Sequence, residues 1–361
     1  VDLLVHEGYK VRVLDNLDPQ VHGKQRKIPS YVSDHMRKKT IEFVLGDILD
    51  KKTMKKSLRG MDTVIHLAAA VGVGQSMYAP HYYTSTNVDG TALLLETIIK
   101  EEVPLKRLIV ASSMSIYGEG AYRCPSCHGE EPVPRSEGQM KKKKWDLLCK
   151  KCLRPMTPLA TREDKPLEPT SVYALTKKMQ EDMVILFGKT YGIPTFALRY
   201  FNVYGPRQSL NNPYTGVIAI FLSRLLNRKP PLIFEDGLQS RDFISVKDVA
   251  RANFLSLSSK NNSQHAVNIG TGQRTSVLDI AAAFTKELRM RIAPKILDRF
   301  RAGDVRHCFS DASLAKSLLK FEARVTLNEG VNDLISFSLG QKPADRLDQA
   351  IVEITRKHLI I

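Results

Sequence analysis

Apolar strand-like runs alternate with runs of helical spacing along this chain, and that alternation restricts its fold more than any other feature. Residues 10–14 read as a strand ending in Asp15-Asn16, and residues 42–45 as another ending in Gly46-Asp47. Residues 63–70 form a buried apolar run, residues 107–111 a strand ending in Ser112-Ser113, and residues 195–199 a further strand. Between them, residues 50–58, 87–100 and 172–191 carry apolar side chains at helical spacing, as in Ala92, Leu93, Leu95, Ile98 and Ile99. Residues 1–9 read as the end of an amphipathic helix closed by Gly8. Strand–helix–strand units close right-handed and build a parallel sheet with helices on both faces. The expected class is therefore α/β. Ligands in such sheets sit at the carboxyl ends of strands, where Asp15, Asp47, Ser112 and Ser113 fall.

The 361 residues are 43% hydrophobic and 25% charged, which excludes a disordered or collagen-like chain. No apolar run reaches the ~18–20 residues of a membrane span, so no membrane partner is expected. Nothing at the start reads as a signal peptide, and the cytoplasm is the expected compartment. The net charge of +16 raises the question of a nucleic-acid partner. A basic solvated surface accounts for it more simply, since residues 121–165 alone hold 11 Lys/Arg against 6 Asp/Glu.

That segment breaks the alternation and reads as an insertion. It holds four of the five cysteines, as Cys124-x-x-Cys127 and Cys149-x-x-Cys152, with 21 residues between the pairs. Four thiolates so spaced suit a tetrahedral zinc ion with a structural role. His128 is an alternate ligand, more simply read as solvated, and Cys308 is expected to be a lone buried or half-buried thiol.

Tyr173-Ala-Leu-Thr-Lys177 puts a phenol and an ammonium on one face of the helix over residues 172–191. A neighbouring cation is expected to lower the phenol's pKa, so that it can take a proton from an alcohol. Alone, the motif is weak. Its context is Ser112-Ser113-Met114-Ser115-Ile116-Tyr117-Gly118 before it and Arg199-Tyr200-Phe201-Asn202-Val203-Tyr204-Gly205-Pro206 after it. With these stand His66-Leu67-Ala68-Ala69, Asn87-Val88-Asp89-Gly90-Thr91, Arg241-Asp242-Phe243-Ile244, Asn268-Ile269-Gly270 and Gly303-Asp304-Val305-Arg306. In these motifs the chain resembles the extended short-chain dehydrogenase/reductases, in their NAD-dependent nucleotide-sugar epimerase/dehydratase branch. The likeness runs from residue 1 to about residue 330, interrupted by the insertion.

The resemblance implies a Rossmann-like parallel sheet with helices on both faces, a smaller α/β substrate domain and a zinc-ribbon-like insertion. The NAD-binding domain would be residues 1–203, interrupted by 121–165. Residues 204–361 would be mainly substrate-binding, with 238–272 partly returning to the Rossmann core. Tyr173 would be the general base and acid, Lys177 would hold the nicotinamide ribose, and Ser113 would hydrogen-bond the reacting sugar hydroxyl. Asp15 would accept from the adenosine ribose and favour NAD over NADP by repelling a 2′-phosphate. Asn16, Asp47, Ile48, Leu67, Ala68, Ala69, Asn87, Ser112 and Tyr200 complete the implied cofactor set. Asn202, Arg241 and Arg301 match positions around the nucleotide diphosphate, where a guanidinium fork suits phosphate oxygens. A homodimer through the helices over residues 87–100 and 172–191 is implied too.

The family's glycine-rich loop between first strand and first helix is absent, and the chain opens inside that helix. That loop cradles the pyrophosphate, so the expectation is a sequence lacking its N-terminal part, which binds NAD poorly and folds marginally. Dehydratases of the family place an Asp-Glu pair after the catalytic Ser/Thr, and decarboxylases usually keep a Glu; here those positions are Met114 and Ser115. The expected reaction is therefore 4-epimerisation of a dTDP-L-rhamnose- or UDP-hexose-type nucleotide sugar, by transient oxidation at C4. The insertion, Asn16-Leu17-Asp18-Pro19-Gln20-Val21-His22-Gly23 and Gly303-Asp304-Val305-Arg306-His307 resemble the dTDP-L-rhamnose 4-epimerase branch. The alternatives are a dehydratase or decarboxylase with displaced acids, and a non-catalytic zinc-ribbon relative that binds nucleic acid.

Overall fold

The computed structural model describes residues 1–361 apart from 24, 213, 215, 302, 342 and 361. In chain order, the elements that build the site begin with β1 (Val11–Asp15), β2 (Ile41–Leu45), α1 (Lys51–Leu58), β3 (Thr63–His66) and α2 (Gly90–Lys100). Next come β4 (Arg107–Ser113), α3 (Val172–Tyr191), β5 (Thr195–Tyr200) and β6 (Asn202–Tyr204). The last are α4 (Val217–Leu226), β7 (Phe243–Ser245), α5 (Val246–Ser258), β8 (Gln264–Ile269), α6 (Val277–Glu287) and α7 (Leu327–Ser338).

Every residue of β4 is buried, because strands flank it on both edges and helices cover both its faces. The sheet order is β8-β5-β4-β3, all parallel, with Ile109 opposite Phe196 and Phe196 opposite His265. Alternate side chains divide between two cores. Leu108, Val110 and Ala197 meet Met54 and Leu58 of α1, Leu94 and Ile98 of α2, and Val184 and Phe187 of α3. Ile109, Phe196, Leu198 and Val267 meet Val249 and Ala252 of α5 and Leu319. Burial on both faces explains why these strands read as unbroken apolar runs. The fold is thus a Rossmann-like parallel α/β sheet.

Strands β1 and β2 pair parallel, from Val11 opposite Ile41 to Asp15 opposite Leu45, as a sheet of their own. Every residue of β1 is half-buried, and in β3 only His66 is fully buried. Among the described residues, the second edge of each pairs with no strand.

After β5 the chain builds a third core, where Ile218, Phe221 and Leu222 of α4 pack with Ile280 and Phe284 of α6 and Val331 and Leu334 of α7. Strand β6 pairs parallel with β7. Ser240–Arg241 lies between His307–Cys308, parallel, and Thr275–Ser276, antiparallel. The insertion has a small core of its own, Tyr122, Cys124, Leu147, Cys149 and Met156, beneath two short antiparallel pairs.

Some boundaries differ from the sequence reading. The apolar run over 63–70 leaves the sheet after His66, and Leu67 stands 55% exposed. A π turn, Ser85–Asp89, precedes α2, so the helix expected from residue 87 starts as a regular α-helix only at Gly90.

Candidate active site

Helix α3 starts where Ser171 Oγ accepts the Ala174 N–H at 3.1 Å, which places Tyr173 in its first turn. The Tyr173 N–H donates to Ser76 Oγ at 2.9 Å, and its ring packs edge-on against Tyr83 with centroids 6.3 Å apart. Ser113, at the carboxyl end of β4, favours the ionised form of the phenol. Ser113 Oγ also accepts the N–H of Ser115 at 3.2 Å and its hydroxyl at 2.8 Å. Among the described residues no carboxylate hydrogen-bonds Tyr173, Ser113 or Ser115, and Met114 is buried.

One expectation is corrected here. Burial raises the Tyr173 pKa, and Ser113 offsets only part of that. Lys177 is not among the groups acting on the phenol, because Nζ donates to Gln180 Oε1 at 2.7 Å, a turn further along α3. Burial draws Lys177 itself down to about 7, against the opposing pull of Glu181.

Gln180 extends this contact into a buried relay. Its Nε2 donates to Thr91 Oγ1 at 2.8 Å and lies 3.3 Å from His66 Nε2. Burial and the Lys177 charge hold His66 neutral, with a pKa of about 3. Beside the relay, Arg199 pairs with Glu181 at 2.6 Å, and the Ser112 hydroxyl donates to the same carboxylate at 2.6 Å.

The other strand-end residues fall into two groups. Asp15, Asn16 and Asp47 gather at the ends of β1 and β2: Asn16 Nδ2 donates to Asp47 at 2.9 Å, and Asp15 accepts the Leu17 N–H at 2.7 Å. Leu67, Ala68 and Ala69 follow β3, while Ile48 is buried against Gly90. Three residues are instead committed within the protein. Asn87 accepts the Ala70 N–H at 2.7 Å and donates to Ala70 O and Thr176 Oγ1. Ser112 faces Glu181. Tyr200 packs on the α5 side of the sheet and donates to Asn253 at 2.9 Å.

On the side of β6, Asn202 Oδ1 is buried and has no hydrogen-bond partner among the described residues. Arg241 and Arg301 converge on one carboxylate: Asp304 Oδ1 lies 3.2 Å from Arg241, and Oδ2 lies 2.8 Å from Arg301. Burial opposes the ionised form of Asp304, but Arg301, Arg241 and Arg135 outweigh it and keep its pKa low.

In the insertion, the Sγ atoms of Cys124, Cys127, Cys149 and Cys152 lie within 4.8 Å of one another, with three separations of 3.4, 3.4 and 3.5 Å. A Zn–S bond of about 2.3 Å puts the thiolates of a regular tetrahedron about 3.8 Å apart. Although burial opposes it, the N–H groups of Cys127 and Ser126 hold the Cys124 thiol at about 6. His128 is not in the cluster. Cys308 is fully buried, and burial pushes it up to about 12.

The sequence reading missed Ser76, Tyr83, Gln180, Glu181 and the anchoring part of Asp304. Glu181 had a signal, four residues beyond Lys177 and so on the same helix face.

Comparison with known proteins agrees with this fold. Residues 152–270 match the model of the NAD dependent epimerase/dehydratase family, and residues 1–135 that of GDP-mannose 4,6 dehydratase. A dTDP-L-rhamnose 4-epimerase of Burkholderia thailandensis is 34% identical over 326 residues, 89% of this chain and 86% of that protein. A putative UDP-glucose 4-epimerase of Methanocaldococcus jannaschii is 32% identical over 93% of each chain. The crystal structure of UDP-glucuronic acid 4-epimerase from Bacillus cereus, in complex with UDP-glucuronic acid and NAD, superposes with a TM-score of 0.75 at 26% identity, over 93% of each chain. The chain belongs to the NAD-dependent epimerase/dehydratase family of extended short-chain dehydrogenase/reductases.

Proposed function

We propose that this protein is an NAD-dependent nucleotide-sugar 4-epimerase. The observation that carries the reading is the Tyr173–Ser113 pair flanked by Met114 and a hydroxyl-bearing Ser115, with no carboxylate hydrogen-bonded to Tyr173, Ser113 or Ser115 among the described residues. A buried phenol and hydroxyl can move a proton on and off a sugar oxygen. Neither Met114 nor Ser115 is an acid that could help expel water from the sugar.

NAD would supply a hydride acceptor and donor for C4. The residues present fit it: Asp15 stands at the end of β1, where an adenosine ribose would be read, and Leu67–Ala69 follow β3 as an apolar wall. Tyr173 takes the proton of the sugar's 4-hydroxyl and returns it after the sugar has turned. Ser113 orients that hydroxyl, and a charged Lys177 released from Gln180 would favour the phenolate. Asn202 Oδ1, a buried acceptor without a partner, suits a donor on the substrate, and Arg241 with Arg301 suits the diphosphate.

Finer features belong to the same proposal. A further parallel strand pairing with the unpaired edges of β1 and β3 would join the two sheets into one. The clustered thiols fit a structural zinc ion in a ribbon-like insertion over 121–165, and free thiols suit a reducing cytoplasm. Residues 1–203 with 238–272 act as the dinucleotide-binding part and the rest of 204–361 as the substrate part, a division supported by the pairing of β8 with β5. Leu175, Met179 and Leu186 form an exposed apolar stripe on α3 suited to the matching helix of a second copy.

The test is to incubate the protein with NAD and a panel of dTDP- and UDP-sugars and to read the products by chromatography with mass detection. A new isomer of unchanged mass is expected. Loss of water or carbon dioxide would overturn the reading.

A further inference from the structure

We infer that Arg135, carried by the four-cysteine insertion, is a positioning residue for the diphosphate clamp; the inference rests on the assignment of Arg241 and Arg301 to that clamp.

The two arginines are oriented by one carboxylate, Asp304. The backbone of Asp304 is held from the insertion. The Arg135 side chain is only 5% exposed and works as a two-armed strut: Nη2 donates to the Asp304 carbonyl at 2.8 Å, and Nη1 to Glu235 at 2.8 Å. The stretch of chain bearing Arg301 and Asp304 runs along the insertion. Lys143 pairs with Asp298 at 2.7 Å, Trp145 packs edge-on against Phe300 at 6.3 Å, and Asp146 pairs with the buried Arg306 at 3.2 Å. Glu235 joins both struts, since Arg306 reaches it at 3.0 Å. A guanidinium suits this position because its planar fork presents two acceptors with separate N–H groups in a fixed geometry, which the single nitrogen of an ammonium does not reproduce. The insertion thus sets where the clamp's cations sit.

The discriminating variants are Arg135→Lys, which keeps the charge beside Glu235 but loses the second arm, and Arg135→Met with Glu235→Gln, which removes the pair without leaving a buried charge alone. Thermal melting establishes that each folds. Titration calorimetry then measures UDP, dTDP and NAD binding, and steady-state assays separate KM from kcat.

The expected result is a Kd for the nucleotide diphosphate, and a KM for the nucleotide sugar, raised about five- to tenfold, as loss of one positioned hydrogen bond implies. NAD binding and kcat should stay within about twofold, a split that a merely structural defect would not give. Variants that fold and bind UDP and dTDP as tightly as the wild type would overturn the inference, whether or not the wild type is an epimerase. Weakened binding in a protein that turns over no sugar would support the clamp and remove the epimerase reading. A wild type that binds neither nucleotide would overturn both.

Discussion

Tyr173 and Lys177 lie on one face of α3, as their spacing requires, yet the ammonium turns to Gln180 rather than to the phenol. Spacing fixes which face two residues share and leaves their rotamers to tertiary surroundings. The position of Lys177 has a consequence for stability. Its folded pKa of about 7 lies below the unfolded value of about 10.4. Between those values the unfolded chain holds a proton that the folded chain does not, so stability rises with pH through the window. Below about 7 both states are charged and the burial cost is complete. Lys177→Met should therefore raise Tm most at or below pH 7, with the gain shrinking toward pH 10; a gain independent of pH would contradict the burial account. Tyr173→Phe should lower kcat by about 10²–10⁴-fold with Tm nearly unchanged, read by product formation and thermal melting. A variant retaining wild-type kcat would remove Tyr173 from proton transfer. Ser113, Tyr173 and Lys177 were legible because three motifs stand in a fixed order. Ser76 and Gln180 were not, because each acts through a contact that only the fold creates.

At the level of elements, the buried Glu181–Arg199 pair ties α3 to β5, and Ser112 ties β4 to the same carboxylate. Removing one member leaves the other charge buried alone, which costs about 3 kcal/mol or more. Glu181→Ala should lower the urea midpoint accordingly, while Glu181→Ala with Arg199→Met should lose much less. Equal losses would show that the pair, rather than the orphaned charge, carries the stability. Strands β4 and β5 were legible in the sequence because burial on two faces demands unbroken apolar runs. The short ladder at Ser240–Arg241 was not. Its partners stand at Thr275–Ser276 and His307–Cys308, and two residues carry no periodicity. The turn after Tyr117 is similar: Gly118 has φ +65°, and a Cβ there would stand 2.3 Å from the Glu168 carbonyl oxygen, a constraint imposed by a distant segment.

At the level of the whole molecule, the segment bearing Arg301 and Asp304 touches the loop before α3, where Thr170 donates to Gly303, and the thiol-bearing insertion, where Arg135 donates to Asp304. The cysteines were plain in the sequence, whereas the insertion's grip on residues 298–306 depends on tertiary placement. Purified protein should contain about one zinc per chain by atomic emission, and Cys124→Ser should lose it with a fall in Tm. Zinc-free protein of unchanged melting would leave the thiols without a metal role. The most direct test of the central claim is isotopic. A nucleotide sugar found to react in the presence of NAD is supplied with deuterium at C4, and its product is examined by NMR and mass spectrometry. Epimerisation predicts an isomer of unchanged mass with deuterium still on C4 and its configuration inverted. Deuterium on another carbon, or a product lighter by water, would contradict it.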